Sequence, residues 1–273
     1  MHRSTVWGRR WPAIPGHRWP TPDPRWYGVI LSTAILVILA MIAILGTRWV
    51  VHHQEEIFPV SAPWGPDCSV WTGEEQVRLD RDQAKRAATA AAVLGQGDDA
   101  PIERPDVDDI SDEVMRALTQ GPEDDAGPSL TCRYSGEKVE FEQERPSGMT
   151  PRTEKLKAGI ENDFAETSIG GYVPGGYDSG HGEGSAHYEG RALDVFYRPV
   201  NEDNRRQGWL LAHWLIAHAP DYQIDVIIFD DKIWSTTYPS MGWRHYDADP
   251  DNEILRHLDH VHVDVLRGSD PDA

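Results

Sequence analysis

Two short runs in the second half of the sequence combine side chains that bind metal ions. The first is Ser185-Ala-His187-Tyr-Glu-Gly190-Arg-Ala-Leu-Asp194. Gly190 lies between His187 and Asp194 and permits a tight turn. Residues 192–197 read as a strand, whose period of two puts Ala192, Asp194 and Phe196 on one face. A loop imidazole and a strand carboxylate can then meet at one ion. The second run is Asp259-His260-Val-His262-Val-Asp264-Val265. Alternation there places His260, His262 and Asp264 on one face and the three valines on the other. The valine face is a core face. Taken alone, the polar face could be an ordinary solvent-facing strand surface. Histidine is an unusual choice for one, and the presence of the first run favours a metal site.

These runs need a scaffold. From about residue 148, Thr150-Pro151 reads as an N-cap followed by proline at the first helical position. Leu156, Ile160 and Phe164 then mark one helix face. A glycine-rich stretch over 170–180 follows. A helix over about 208–217 buries Trp209, Leu211, Trp214 and Leu215, and strands are expected over 224–229, 232–236 and 261–265. This mix implies an α+β domain over 148–273. Residues 68–147 read as a small helical module. Asp80 with Gln83 forms a capping box before an alanine-rich helix, and a second helix covers about 111–119. Nothing in this module suggests chemistry, so it reads as a spacer or docking unit. Cys68 and Cys132, the two cysteines, lack zinc-finger spacing and are expected to form a disulfide.

The formal net charge is −19. Residues 1–26, a proline-rich stretch read as a disordered cytoplasmic tail, carry five arginines and one acid. The remainder is strongly acidic, which disfavours nucleic acid as a partner. Between Arg25 and Arg48 lie 22 uncharged residues. As a helix they span roughly 33 Å, enough for one bilayer crossing. Residues 27–48 are therefore expected to be a transmembrane helix flanked by interfacial Trp26, Tyr27 and Trp49. The positive-inside rule puts the N-terminus in the cytoplasm and the chain beyond a stalk at 49–67 outside it.

The two metal-type runs resemble the signatures of the zinc D-Ala-D-Ala carboxypeptidases of the VanY-like kind, a group related to the hedgehog N-domain. Ser185, His187, Gly190, Ala192 and Asp194 match Ser-x-His-x-x-Gly-x-Ala-x-Asp, and His260 with His262 matches a later His-x-His. The resemblance covers about 150–266. It implies a mostly antiparallel sheet, Zn²⁺ held by His187, Asp194 and His262, and peptidoglycan stem peptides or cross-links as substrate. It also implies His260 as the proton-transferring group, with Asp259 as its rival; Asp264 reads instead as an acceptor for a ligand imidazole. The family's Gly-Tyr-Arg, whose arginine grips the substrate carboxylate, reads Gly171-Tyr172-Val173 here. Arg191 and Arg244 are the alternatives considered for that role.

The leading expectation is an extracytoplasmic zinc peptidase. Its competitor is a module of the same fold that keeps zinc and only binds wall or protein partners. A redox metal protein is disfavoured by the absence of thiolate ligands. His181 is an alternative ligand. His213 and His218 read as surface or core residues, and His245 and His257 as residues near the site mouth without a role. Trp209, Trp214 and Trp234 read as core, and Trp243 as a weak candidate for the cleft. Asp247-x-Asp249-x-Asp251 starts like a calcium loop but lacks its later glycine and glutamate.

Overall fold

A computed structural model describes residue 41, residues 67–165 and residues 167–269. The expected tail (1–26), membrane span (27–48) and stalk (49–67) lie outside the described residues, apart from Met41 and Asp67. Among the described residues, no helix is long and apolar enough to cross a membrane. Those from 67 onward belong to one compact unit.

The expected helical module also contains a sheet. Strands β1 (Cys68–Trp71), β2 (Gln76–Leu79) and β3 (Leu130–Cys132) pair antiparallel in the order β2-β1-β3. Three or four residues per strand are too few for an alternation to show. Cys68 lies directly opposite Cys132, and the two are joined as a disulfide across a sequence separation of 64. Closing a loop of that length restricts the unfolded chain by about 4 kcal/mol. The Cys68→Ser/Cys132→Ser variant should therefore unfold in urea with a stability lower by about that amount. Equal midpoints and slopes for the two proteins would contradict this.

Helix α1 (Arg81–Gln96) begins at the expected capping box. Asp80 accepts from the Gln83 amide at 2.8 Å, and the Gln83 side chain accepts from the Asp80 amide at 3.1 Å. Its buried stripe of Ala84, Ala87, Ala88, Ala91 and Ala92 lets other elements approach closely. Helix α2 (Asp112–Gln120) is capped by Ser111, and α3 (Pro151–Asp163) by Thr150. Helix α4 (Glu202–Ala217) starts one to two turns earlier than the apolar residues suggest. Its first turns are polar, and the Asn201 side chain caps them by accepting from the Asn204 amide at 2.8 Å. A short α5 (Ala219–Tyr222) follows.

The second sheet holds β4 (Ser168–Gly170), β5 (Ala192–Phe196), β6 (Ile224–Phe229), β7 (Lys232–Ser235), β8 (Arg244–His245) and β9 (His260–Val265). Their order is β4-β5-β9-β6-β7-β8, with every neighbouring pair antiparallel. The fold is α+β, as the sequence implies. Leu193, Val195, Ile227, Val261 and Val263 are fully buried and share a core with Trp209, Leu211, Trp214 and Leu215 of α4. Val70, Ala88, Val114 and Leu130 belong to the same core, so residues on both sides of position 148 pack together. Burying each such Val or Leu side chain contributes about 1.5–3 kcal/mol. The valine face of β9 thus anchors the strand and turns its histidine face outward.

Candidate metal centre

The β5–β9 register sets the floor of the site. Asp194 lies opposite His262, Phe196 opposite His260 and Ala192 opposite Asp264. His187 arrives from a 3-10 turn, Ala186–Glu189, capped by Ser185 and closed by left-handed Gly190. A Cβ on Gly190 would sit 2.9 Å from the Gly148 carbonyl oxygen, so the turn needs glycine on both counts.

Three atoms converge. His187 Nε2 lies 3.2 Å from His262 Nδ1 and 3.4 Å from Asp194 Oδ1, while His262 Nδ1 and Asp194 Oδ1 are 3.0 Å apart. A tetrahedral ion with bonds of about 2.0–2.1 Å has ligand-to-ligand edges of about 3.3 Å. The group could therefore hold a metal ion. Each imidazole has its far nitrogen engaged. His187 Nδ1–H donates to the Gly171 carbonyl at 2.6 Å, and His262 Nε2 lies 2.8 Å from Asp264 Oδ1 in an ion-pair contact that lacks hydrogen-bond angles. These partners fix the rings so that the near nitrogens face the ion position. Gly171 has a positive φ of 81°, and a Cβ there would sit 2.5 Å from the His187 ring.

The three residues are 4–9% exposed, so their charges interact strongly. Burial opposes ionisation of Asp194, but hydrogen bonds from His187 and His262 outweigh it and hold the carboxyl far below its ordinary range. Burial also opposes a charge on His262. The Asp264 and Asp194 carboxylates on its two sides override that and raise it to about 10. A protonated His262 ring would face Asp194 from Nδ1 and Asp264 from Nε2, and an ion held at Nδ1 would take the place of the proton there. Asp264→Asn removes one of these carboxylates and should weaken metal binding by about 10–100-fold, the range for partners that orient a ligand. A chelator competition titration measures this, and an unchanged affinity would deny Asp264 that role.

His260 lies beside the trio. Its Nδ1–H donates to Asp259 Oδ1 at 2.7 Å, and its Nε2 stands 3.7 Å from Asp194 Oδ1. The other Asp259 oxygen accepts from Arg198 Nε at 2.6 Å. Burial disfavours the Asp259 charge, yet His260 and Arg198 together keep its pKa low.

His257, expected near the site mouth, lines the cavity, and Arg198 is a cavity residue of which the sequence gives no warning. His257 sits on a turn with a positive φ of 53°, and its ring lies 4.7 Å from that of His260 and 5.5 Å from that of His262. Its Nδ1–H donates to the Leu255 carbonyl, and burial with the neighbouring imidazoles lowers its pKa to about 3. The cavity above the trio measures about 630 Å³. Its floor includes Asp194, His260, His262 and Asp264, and its walls include Tyr177, the loop over 180–184, Tyr246 and His257.

Other candidates lie elsewhere. His181 stacks on the His187 ring at 4.1 Å and 21°, outside the converging trio. Tyr188 Oη pins its backbone, accepting from the His181 amide at 2.9 Å and donating to its carbonyl at 2.6 Å. His213 is buried and accepts from the Ser129 amide, while His218 bonds Asp221. Trp243 donates to the Leu130 carbonyl and packs on Trp209 rather than lining the cavity. Asp249 caps the Asp251 amide. Arg191 is bound to Glu189 and the Val265 carbonyl, and Arg244 stacks over Tyr238. Neither faces the cavity.

The family described as VldE, C-terminal domain, matches residues 145–254, less than half of the chain. The matched stretch includes His187 and Asp194 and ends before His257, Asp259, His260 and His262. No curated protein and no solved structure matches significantly.

Proposed function

We propose that this chain is a zinc-dependent peptidase acting outside the cytoplasm on peptidoglycan stem peptides or cross-links, anchored through one N-terminal span over 27–48. The supporting observation is the convergence of His187 Nε2, Asp194 Oδ1 and His262 Nδ1, with both far imidazole nitrogens engaged. Two imidazoles and one carboxylate suit Zn²⁺ and leave a fourth position open. Bound zinc would bring a water's pKa toward about 7 and polarise the scissile carbonyl. His260, with Nδ1–H tied to Asp259, presents Nε2 to the cavity side. It accepts the water's proton there and returns it to the leaving amine. Asp259 has both oxygens engaged, so it fixes the His260 tautomer rather than acting as the base itself. The peptidoglycan substrate and the membrane anchor rest on the motif residues and on the flanking charges of 27–48.

The test is digestion of muropeptides of several cross-link types by the zinc-loaded chain, with Asp194→Ala as the blank. Release of amino acids or fragments above the blank supports the peptidase. Binding of wall fragments with no release above the blank would favour the zinc-holding binding module instead.

A further inference from the structure

We infer that Arg198 reads a carboxylate on the substrate, so that the preferred peptide carries a free carboxylate close to the scissile bond. This rests on the peptidase reading above. Arg198 lies just beyond β5 and lines the metal cavity, and two contacts fix its plane. Nε donates to Asp259 Oδ2 at 2.6 Å, and the guanidinium carbon lies 4.2 Å from the centre of the Phe196 ring. Nη1 and Nη2 have no partner among the described residues, and the side chain is 54% exposed. A guanidinium so held offers its remaining fork of N–H donors already oriented, which suits two-pronged contact with a carboxylate.

The rest of the cavity makes this placement selective. Arg198 is the only Lys or Arg among the described residues lining it, while Asp194, Asp264 and Glu183 line it with negative charge. Bound zinc would offset the Asp194 charge and offer one position for a substrate oxygen; away from it, Asp264 and Glu183 repel a carboxylate and Arg198 accommodates it. Asp259 balances the arginine's charge, so recognition there depends on the geometry of the fork more than on long-range attraction. Arg198 and Phe196 also border a smaller recess of about 160 Å³ on the β4 side, with room for a terminal residue beyond the metal cavity.

The experiment compares short peptides bearing a free C-terminal carboxylate with their C-terminal amides, on the zinc-loaded full chain and on Arg198→Gln. The wild type should prefer the carboxylate form in kcat/KM, and Arg198→Gln should reduce that preference by about 10-fold or more, largely through KM. Any loss from a loosened Asp259 falls on both substrates and cancels in the ratio. An unchanged ratio in Arg198→Gln, or no preference in the wild type, overturns the inference. A parallel arm titrates the same peptide pairs into the zinc-free chain by NMR. Carboxylate-dependent binding that Arg198→Gln abolishes supports the inference even where no peptide is cleaved, an outcome in which the peptidase reading alone fails. No carboxylate-dependent binding or cleavage in either arm overturns it.

Discussion

Asp194→Ala should strip the chain of its metal. Asp194 supplies the only anionic atom of the trio and lies 3.0 and 3.4 Å from the two imidazole nitrogens. Its loss leaves two neutral ligands for a divalent ion and takes away one of the two carboxylates flanking His262. Removing a partner that merely orients a ligand costs about 10–100-fold in metal affinity, so losing a ligand should cost more than about 100-fold. His262→Ala should do the same. Zinc content after gel filtration, with circular dichroism to confirm folding, measures both. Stoichiometric zinc in each variant would dismantle the ligand set. The wild type should also show a pH signature. His262 without metal is held to about 10, so at neutral pH an entering ion must displace its proton. Lowering the pH favours the imidazolium and weakens binding, by about tenfold per unit for one displaced proton. Raising the pH toward 10 removes that competition.

The parts of this site that could be read from sequence are those governed by strand alternation and short spacing. Period two places Asp194 on β5 and His262 on β9, and their pairing in register brings the two together. His187 depends on a short turn that Gly190 makes plausible. What was not legible depends on backbone groups or irregular chain. The Gly171 carbonyl holds His187 but carries no side-chain signal. His257 is expected near the site mouth, but its ring contacts with His260 and His262 depend on a left-handed backbone in a turn, where no periodicity applies. Arg198 lies past the end of β5, where alternation no longer fixes direction. In the fold, the apolar pattern marks only the later part of α4, because its first turns are polar and only the Asn201 cap signals their start. The β1–β3 sheet has no signature in the sequence, because register across a disulfide, rather than any pattern within a strand, aligns its short pieces.

His260→Ala should keep most of the zinc and lose hydrolysis by about 100-fold or more, the scale of a general acid–base group. His260 is outside the converging trio, so the ligand atoms survive its removal. Its Nε2 nevertheless stands 3.7 Å from the Asp194 oxygen that faces the ion position, close enough to serve a proton moving at that position. The contact with Asp259 at 2.7 Å places hydrogen on Nδ1 and leaves Nε2 free to accept. Alanine removes that acceptor and changes none of the three ligands, so the loss should fall on kcat more than on metal content. Asp259→Ala should be the milder change, because His260 keeps its imidazole and loses only the partner that fixes its tautomer. The measurement pairs zinc content with rates of peptide release, using Asp194→Ala as the blank. If His260→Ala loses zinc in step with activity, His260 serves the metal rather than the proton. If it keeps both zinc and full activity, proton transfer belongs to another group, and His257, whose ring lies 4.7 Å from that of His260, becomes the next residue to change.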